Sequence, residues 1–327
     1  MPGNPVQWLL VGTGDIVHKR VGAALAPRLR GVCGGRGRAT AIAHEHGASE
    51  VFDNLDTALQ ETSANAVYIA TPVHRHRPEA LAAIAAGKHV LIEKPLGVSG
   101  DDAQQIGDAA ASAGVTAGCA YYRRCFPRMA HLASLLNENT LGRIVMVRMN
   151  YWSWFDPEAD DPKRWRLEPS HSGGGPLADM GSHMFDQLIA LFGVPESVSA
   201  SCATLAHDYA VEDTAAVIMT LDNGAQVSGS FGWNTRTWRH EFEVIGTEGK
   251  VFWAPADTGM VTVTIGRDVV EYDLPNADNV HQPLVTDFEE AVHQSRPPIA
   301  PVSVATSTNR LLDAIYRSSR DRREVAV

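Results

Sequence analysis

Residues 6–16 read VQWLLVGTGDI: an apolar strand over 6–11 runs straight into Gly12, Thr13 and Gly14, and a helical stretch follows over about 15–26. Glycines between a strand and a helix let backbone approach a pyrophosphate, whose charge is favoured at a helix amino terminus. A glycine pair alone says little, but this one has the strand before it and the helix after it that a dinucleotide fingerprint requires. Gly12, Thr13, Gly14, Asp15 and Ile16 are therefore candidate cofactor-binding residues. The third glycine of the fingerprint is missing. Val17 stands there, a bulkier side chain where helix and sheet usually pack closely.

Outward from this stretch the alternation of strand and helix continues. A second strand, 29–34, would normally end in an acidic residue that holds a ribose 2′-hydroxyl and marks NAD. This chain has Gly34, Gly35, Arg36, Gly37 and Arg38 instead. Two guanidinium groups suit a 2′-phosphate, so the reading favours NADP over NAD with Arg36 and Arg38 as contacts. The plain alternative is a pair of solvated arginines on a loop. A helix over 39–46 stopped by Gly47, a short strand at 51–52, a helix over 55–61 and a strand over 66–70 come next. Thr71, Pro72 and His76 occupy the loop after that strand, and a helix over 77–86 leads to HVLIEKPLG, residues 89–97. Its strand delivers Glu93, Lys94 and Pro95 to the carboxyl end of a parallel sheet, where open α/β folds bind ligands, so Lys94 is a candidate for chemistry. A surface lysine capping a strand is the alternative. Ser99 caps a further helix and 115–120 is the last strand, which completes a first domain with a parallel sheet over residues 1–123.

Length and composition fit this organisation. At 327 residues two domains are the natural expectation, and 44% hydrophobic with 20% charged residues is ordinary globular composition. No apolar run reaches the length of a membrane span and the amino terminus lacks a signal-peptide pattern, so a cytoplasmic location is expected. Cys33, Cys119, Cys125 and Cys202 show no CxxC spacing and read as reduced thiols. A net charge of −10 argues against nucleic acid or an anionic membrane as partner.

Past Pro127 the periodicity changes. A helix over 128–136 and a long strand over 144–154 precede a polar loop, then Trp165, Arg166, and SGGGPLADMGSHMFD at 172–186. Three glycines open a helix near Pro176 on which Asp179, His183 and Asp186 share a face. Three readings compete for Asp179 and His183: a structural pair, two metal ligands without a third at a recognised spacing, or an acid/base pair in which a carboxylate orients an imidazole. The last gains from Lys94, and no metal is expected. The rest is strand-rich, with Asp222, Asn223, Gly224 as a strong hairpin turn. The expected fold class is α/β plus α+β, the second domain (124–327) carrying a largely antiparallel sheet. A closing helix over about 303–320 is read as packing back on the first domain. Trp152, Trp154, Trp233, Trp238 and Trp253 serve a sugar pocket or, as strand aromatics more often do, core and interface. Open sheet faces suggest a homodimer or homotetramer.

The joint order of strand-GxG, TPxxxH at 71–76, EKP at 93–95, RxxP at 124–127 and WR followed by GGGxLxDxGxHxxD resembles the glucose-fructose oxidoreductase, inositol dehydrogenase and rhizopine-catabolism (Gfo/Idh/MocA) family over nearly the whole chain. The resemblance implies a doubly wound Rossmann domain followed by an open-faced, largely antiparallel mixed sheet for substrate binding and oligomerisation, a carbohydrate-like small-molecule substrate, a sugar, polyol or inositol, and Lys94, Asp179 and His183 as the catalytic set. It implies cofactor contacts from Thr71, Pro72, His76, Glu93, Lys94, Trp165 and Arg166, and substrate contacts from Lys94, Arg124, Asp179 and His183. WRLEP with Arg36 and Arg38 is similar to the anhydrofructose reductase branch and implies NADP, while Val17 and Gly34 depart from the common NAD pattern. The expected reaction is hydride transfer between nicotinamide and a secondary alcohol or ketone. His183 would be the acid/base, Lys94 the stabilising cation and Asp179 the orienting carboxylate, the roles of Lys94 and His183 being exchangeable. Two rivals stand beside it: a tightly held NAD(P) used for transient-redox elimination or glycoside cleavage, and a non-catalytic cofactor-sensing regulator.

Overall fold

A computed structural model describes residues 5–327. The chain divides into two compact units, the first made of Met1–Gly97, Asp101–Cys125 and Ala277–Thr306, the second of Val98–Gly100, Phe126–Asn276 and Ser307–Val327.

In the first unit, β1 (Trp8–Val11), β2 (Leu29–Cys33), β3 (Glu50–Phe52), β4 (Ala66–Ile69), β5 (His89–Ile92) and β6 (Ala117–Cys119) form a parallel sheet in the order β3-β2-β1-β4-β5-β6. This is the doubly wound Rossmann order, and its direction reverses between β1 and β4. β1 and β4 are buried along their whole length, which is why they read as unbroken apolar runs rather than as alternating ones. Each fully buried Leu, Ile or Val there contributes about 1.5–3 kcal/mol. One helix starts earlier than its pattern suggests: Arg36–His46 takes in Arg36 and Arg38, so both arginines lie in its first turn rather than on a loop. Gly37 inside that turn disguises it, since glycine weakens the helical signal without forbidding the conformation.

Residues 277–306 join this unit. Their helix Gln282–Gln294 lays Phe288 against Trp8 at 5.4 Å, and Glu289 accepts the Trp8 indole N–H at 2.8 Å. Farther on, the Cys119 N–H donates to Ala300 O at 2.9 Å, so the edge of β6 is covered.

The second unit carries nine strands, β7 (Ile144–Trp154), β8 (Ser197–Ala203), β9 (Thr214–Thr220), β10 (Gln226–Gly232), β11 (Asn234–Gly246), β12 (Gly249–Trp253), β13 (Val261–Ile265), β14 (Asp268–Tyr272) and β15 (Val325–Ala326). Their order is β14-β13-β12-β11-β7-β10-β9-β8-β15, antiparallel throughout except for the parallel pair β7–β10. The β9–β10 turn follows its sequence signal, with Gly224 at φ +81° and the Ala225 N–H bonded to Asn223 Oδ1. Side chains alternate across the sheet: Val147 and Met149 of β7 are buried, while Arg148 and Asn150 meet Glu243 and Glu241 of β11 on the other face. Trp233 and Trp253 belong to the core, whereas Trp154 and Trp238 are exposed. Helix Ser182–Phe192 lies on the buried face, Phe185 edge-on to Phe231 of β10.

Candidate active-site residues

The glycine loop after β1 owes its composition partly to its own neighbours. Gly12 has φ +112°, and a Cβ on it would stand 2.5 Å from Ala70 O, so only glycine permits β1 and β4 to end side by side. Gly14 has nothing within 4 Å of where its Cβ would be, which leaves backbone open to an approaching group. Val17, in place of the third glycine, is fully buried and begins a π-helical segment, Val17–Val21. Close packing is taken up at Gly22 instead, where a Cβ would overlap the His46 ring. Gly34 at the end of β2 packs so closely on Thr13 that a Cβ would lie 2.6 Å from its Cγ2, which leaves no room for a ribose-binding carboxylate at that position. Arg36 is largely exposed, with a long 4.0 Å contact to Asp53, itself less exposed but still mostly in solvent, a pair of little energetic weight. Asp15 pairs with Lys19 on the surface at 2.8 Å. An open glycine loop opening a helix, with cations at the end of β2 in place of an acid, fits a dinucleotide and suits a phosphorylated ribose.

The loops after β4 and β5 are tied together. Thr71 donates its hydroxyl to Glu79 at 2.6 Å, and Pro72 leads into the short turn Val73–Arg75. His76, expected to touch the cofactor, is 1% exposed and turned inward, with Nδ1 2.8 Å from Pro95 O and Nε2 2.8 Å from Thr71 O. It therefore joins the TP loop to the EKP loop. Burial holds its pKa below the ordinary value despite these two carbonyls, which act in the opposite sense. Glu93, also read as a cofactor contact, is buried. Its Oε1 accepts the Tyr68 hydroxyl at 2.8 Å and lies 3.4 Å from His281 Nε2, while Oε2 accepts the Lys94 backbone N–H at 3.3 Å. Burial pushes its pKa up, but His281, Tyr68 and Lys94 together hold it below 4.5. Lys94 itself is half-buried at the carboxyl end of β5. Arg124 donates to Ile299 O at 3.1 Å within the same unit.

In the second unit Trp165 and Arg166 sit on a short 3-10 turn, Arg164–Leu167. Arg166 Nη1 lies 3.2 Å from Asp179 Oδ2, and its guanidinium stands over the Trp165 and Phe155 rings at 5.8 and 5.9 Å. The structure thus gives Arg166 to Asp179. The SGGG loop explains itself by contact: a Cβ on Gly173 would lie 3.0 Å from Val98 O, and on Gly174 and Gly175 it would overlap the Tyr316 hydroxyl and Glu212 O. Glu212 accepts the Gly175 and Leu177 N–H groups at 2.9 and 3.2 Å and the Tyr316 hydroxyl at 3.0 Å, which fastens the loop that precedes Asp179. The helix does not begin as a regular α-helix. Leu177–Gly181 is a π turn carrying Asp179, and the Ser182 hydroxyl donates to Asp179 O at 3.2 Å. π turns recur at functional sites because they re-aim side chains. His183 and Asp186 follow on the α-helical part, both buried.

Sequence reasoning missed Tyr68, Glu79, Glu212, His281 and Tyr316. Tyr68 hides in an apolar strand, Glu79 is tied locally to Thr71 and Arg75, and Glu212, His281 and Tyr316 acquire meaning only from partners far along the chain. Among the described residues, no group of three or more His, Cys, Asp or Glu could hold a metal ion, and no helix is long and apolar enough to cross a membrane.

Comparison with known proteins agrees with this architecture. The family model of the oxidoreductase family with an NAD-binding Rossmann fold matches residues 6–121, and that of the GFO/IDH/MocA C-terminal domain matches residues 129–252. The chain is 30% identical over 268 residues to 1,5-anhydro-D-fructose reductase of Ensifer adhaerens, covering 80% of each chain. It is 29% identical over 289 residues to D-xylose 1-dehydrogenase (NADP(+)) 2 of Haloferax volcanii, covering 86% of each. Levoglucosan dehydrogenase in complex with NADH shares the fold at a TM-score of 0.89 and 23% identity, over 98% of this chain and 99% of that one. A Rossmann sheet with its glycine loop, a separate mixed sheet, and matches across both make this chain a member of the GFO/IDH/MocA family of oxidoreductases.

Proposed function

We propose that the protein is an NAD(P)-dependent dehydrogenase or reductase acting on a CH–OH group of a sugar, polyol or inositol, with NADP the preferred cofactor. The observation that carries the reading is Lys94, half-buried where β5 ends in a Rossmann sheet and backed by an ionised Glu93. Named relatives that reduce or oxidise anhydrofructose and xylose support the substrate class, and one of them names NADP(+). Arg36 and Arg38 in a helix first turn without acidic residues support the 2′-phosphate.

A bound nicotinamide supplies the two-electron hydride acceptor or donor. Gly12, Thr13, Gly14, Asp15 and Ile16 would hold its pyrophosphate, with Thr71 and Pro72 beside them. In the oxidative direction His183 takes the hydroxyl proton as the C–H bond breaks, and Lys94 stabilises the negative charge that develops on oxygen. Asp179, anchored by Arg166, orients the proton-handling groups, and the parts of Lys94 and His183 are exchangeable. Arg124 is assigned to the substrate. The exposed apolar residues Trp154 and Ile218 on the open side of the second sheet support a homo-oligomer.

The test is a turnover screen of sugars and inositols with NADP and NAD, followed by nicotinamide absorbance. Lys94→Ala should lose at least about a hundredfold in kcat on the best substrate and still bind cofactor. Wild-type rates from that variant would end the mechanism. Turnover without a steady absorbance change would point to transient internal oxidation instead.

A further inference from the structure

His281 has no place in this chemistry, yet it is fully buried beside a residue that does. It stands just before the helix Gln282–Gln294, fixed by its own N–H on Asn279 Oδ1 at 3.0 Å, while Asn279 holds Arg20 O at 2.8 Å. Its ring lies 4.6 Å from that of Tyr122 and presents Nε2 to Glu93 Oε1 at 3.4 Å. Neither ring nitrogen meets hydrogen-bond geometry, so the long electrostatic contact of Nε2 with Glu93 stands alone. A fully buried imidazole whose polar atoms have one long contact to a carboxylate calls for an explanation.

The charges around it are few. Glu93 faces it from the end of β5, with Tyr68 from β4 on the same oxygen and Lys94 next in the chain. His76 feels Glu93 from the neighbouring helix, and Cys119 lies near Tyr68. Tyr122 separates His281 from Arg20 and Arg123, whose guanidinium carbons stand 5.4 and 6.0 Å from the Tyr122 ring centre. Glu93 is thus a buried acid with one hydroxyl, one imidazole and one backbone N–H to keep it ionised. The positive end of the dipole of helix Gln282–Gln294 acts in the same sense.

We propose that His281 is a positioning residue for Lys94: it keeps Glu93 a carboxylate, and the carboxylate holds the Lys94 backbone N–H and supplies the negative charge behind its amine. The proposal rests on the reading of Lys94 as a catalytic residue, but its first measurement does not. His281→Phe preserves the ring contact with Tyr122 and removes the donor. Burial then acts on Glu93 with one partner fewer, and its proton is lost at a higher pH than in the wild type.

The experiment is infrared difference titration of His281→Phe, followed through the C=O stretch of a protonated buried carboxyl. A band should grow in at higher pH than in wild type and be absent from His281→Phe/Glu93→Gln. In parallel, the acid limb of kcat should move to higher pH in His281→Phe, with kcat reduced on the order of ten- to a hundredfold and KM little changed. His281→Gln, which restores a donor, should return both readouts toward wild type. An unshifted carboxyl band, or a kcat loss equally large when His281→Phe is added to Glu93→Gln, overturns the proposal. If the Phe variant does not fold, Glu93→Gln decides: it must lower kcat while leaving cofactor binding intact, and an unchanged kcat overturns the idea. A shifted band with an activity indifferent to Lys94→Ala would instead refute the role of Lys94 and leave the His281–Glu93 coupling standing.

Discussion

Replacing Gly174 by alanine tests the account of the SGGG loop. Gly174 adopts φ +146°, a conformation that costs an L-residue about 1–3 kcal/mol. Its new methyl would also overlap the Tyr316 hydroxyl, which donates to the buried Glu212 carboxylate. Moving Tyr316 away forfeits a hydrogen bond to a charged group, about 1.5–3 kcal/mol. Together these come to about 2.5–6 kcal/mol, a large share of the roughly 5–15 kcal/mol that holds a domain folded. The control is Gly224→Ala. Gly224 also has a positive φ, +81°, but nothing stands within 4 Å of its would-be Cβ, so it incurs the backbone strain alone. Urea denaturation of both variants should show a midpoint shift at least twice as large for Gly174→Ala, with unchanged slope. Equal shifts would refute the argument that packing against Tyr316, rather than backbone conformation, dictates the glycine.

The remaining expectations concern charge and reactivity. Glu93 is held below 4.5, so its stabilising contribution is complete above pH 4.5 and is lost as pH falls through the lower folded-state value. Glu93→Gln should therefore lose stability relative to wild type at pH 7 and show a smaller deficit in acid, read by thermal unfolding across pH. Glu212, whose pKa burial raises, has the opposite sign: its contribution is present below 4.5 and is lost as pH rises through the folded-state value. Burial pushes the thiols of Cys33, Cys125 and Cys202 to about 11, 12 and 12. At pH 8 the thiolate fraction is on the order of one part in a thousand or less. Iodoacetamide should leave all three unmodified in the native protein by mass spectrometry, and rapid alkylation would contradict the raised thiol values of buried Cys33 and of part-buried Cys125 and Cys202. Arg36→Ala/Arg38→Ala should raise KM for NADP at least about tenfold through lost charge-assisted hydrogen bonds and leave KM for NAD nearly unchanged. Equal effects on both cofactors would remove the basis for NADP preference.

What the sequence disclosed was local. β1 running into Gly12, the repeated strand and helix up to β6, and the Asp222–Gly224 turn all depend on residues within one element of each other, and they stand where expected. Lys94 at the end of β5 followed from the same periodicity. Several features did not follow. The SGGG glycines answer to Val98, Glu212 and Tyr316, and no periodicity connects those positions. The two backbone carbonyls that meet the His76 ring belong to Thr71 and to Pro95, and no local pattern joins that histidine to the loop after β5. The π turn at Asp179 leaves no compositional trace, and the parallel β7–β10 pair joins strands some eighty residues apart. Long-range pairing is invisible to a pattern that decides one window at a time.

The return of residues 277–306 to the Rossmann unit also orders events during synthesis. While a ribosome is still making the second unit, the first lacks the helix that covers Trp8 and the segment that closes the edge of β6. Until residues 277–306 emerge it therefore waits as an incomplete sheet with an apolar face and an open strand, and a nascent chain in that condition is a client for chaperones. Since the covering segment follows Asn276, completion of the first unit comes only after residues 126–276 of the second have been made. A fragment ending at Cys125 would carry every strand of the Rossmann sheet and still remain unfinished.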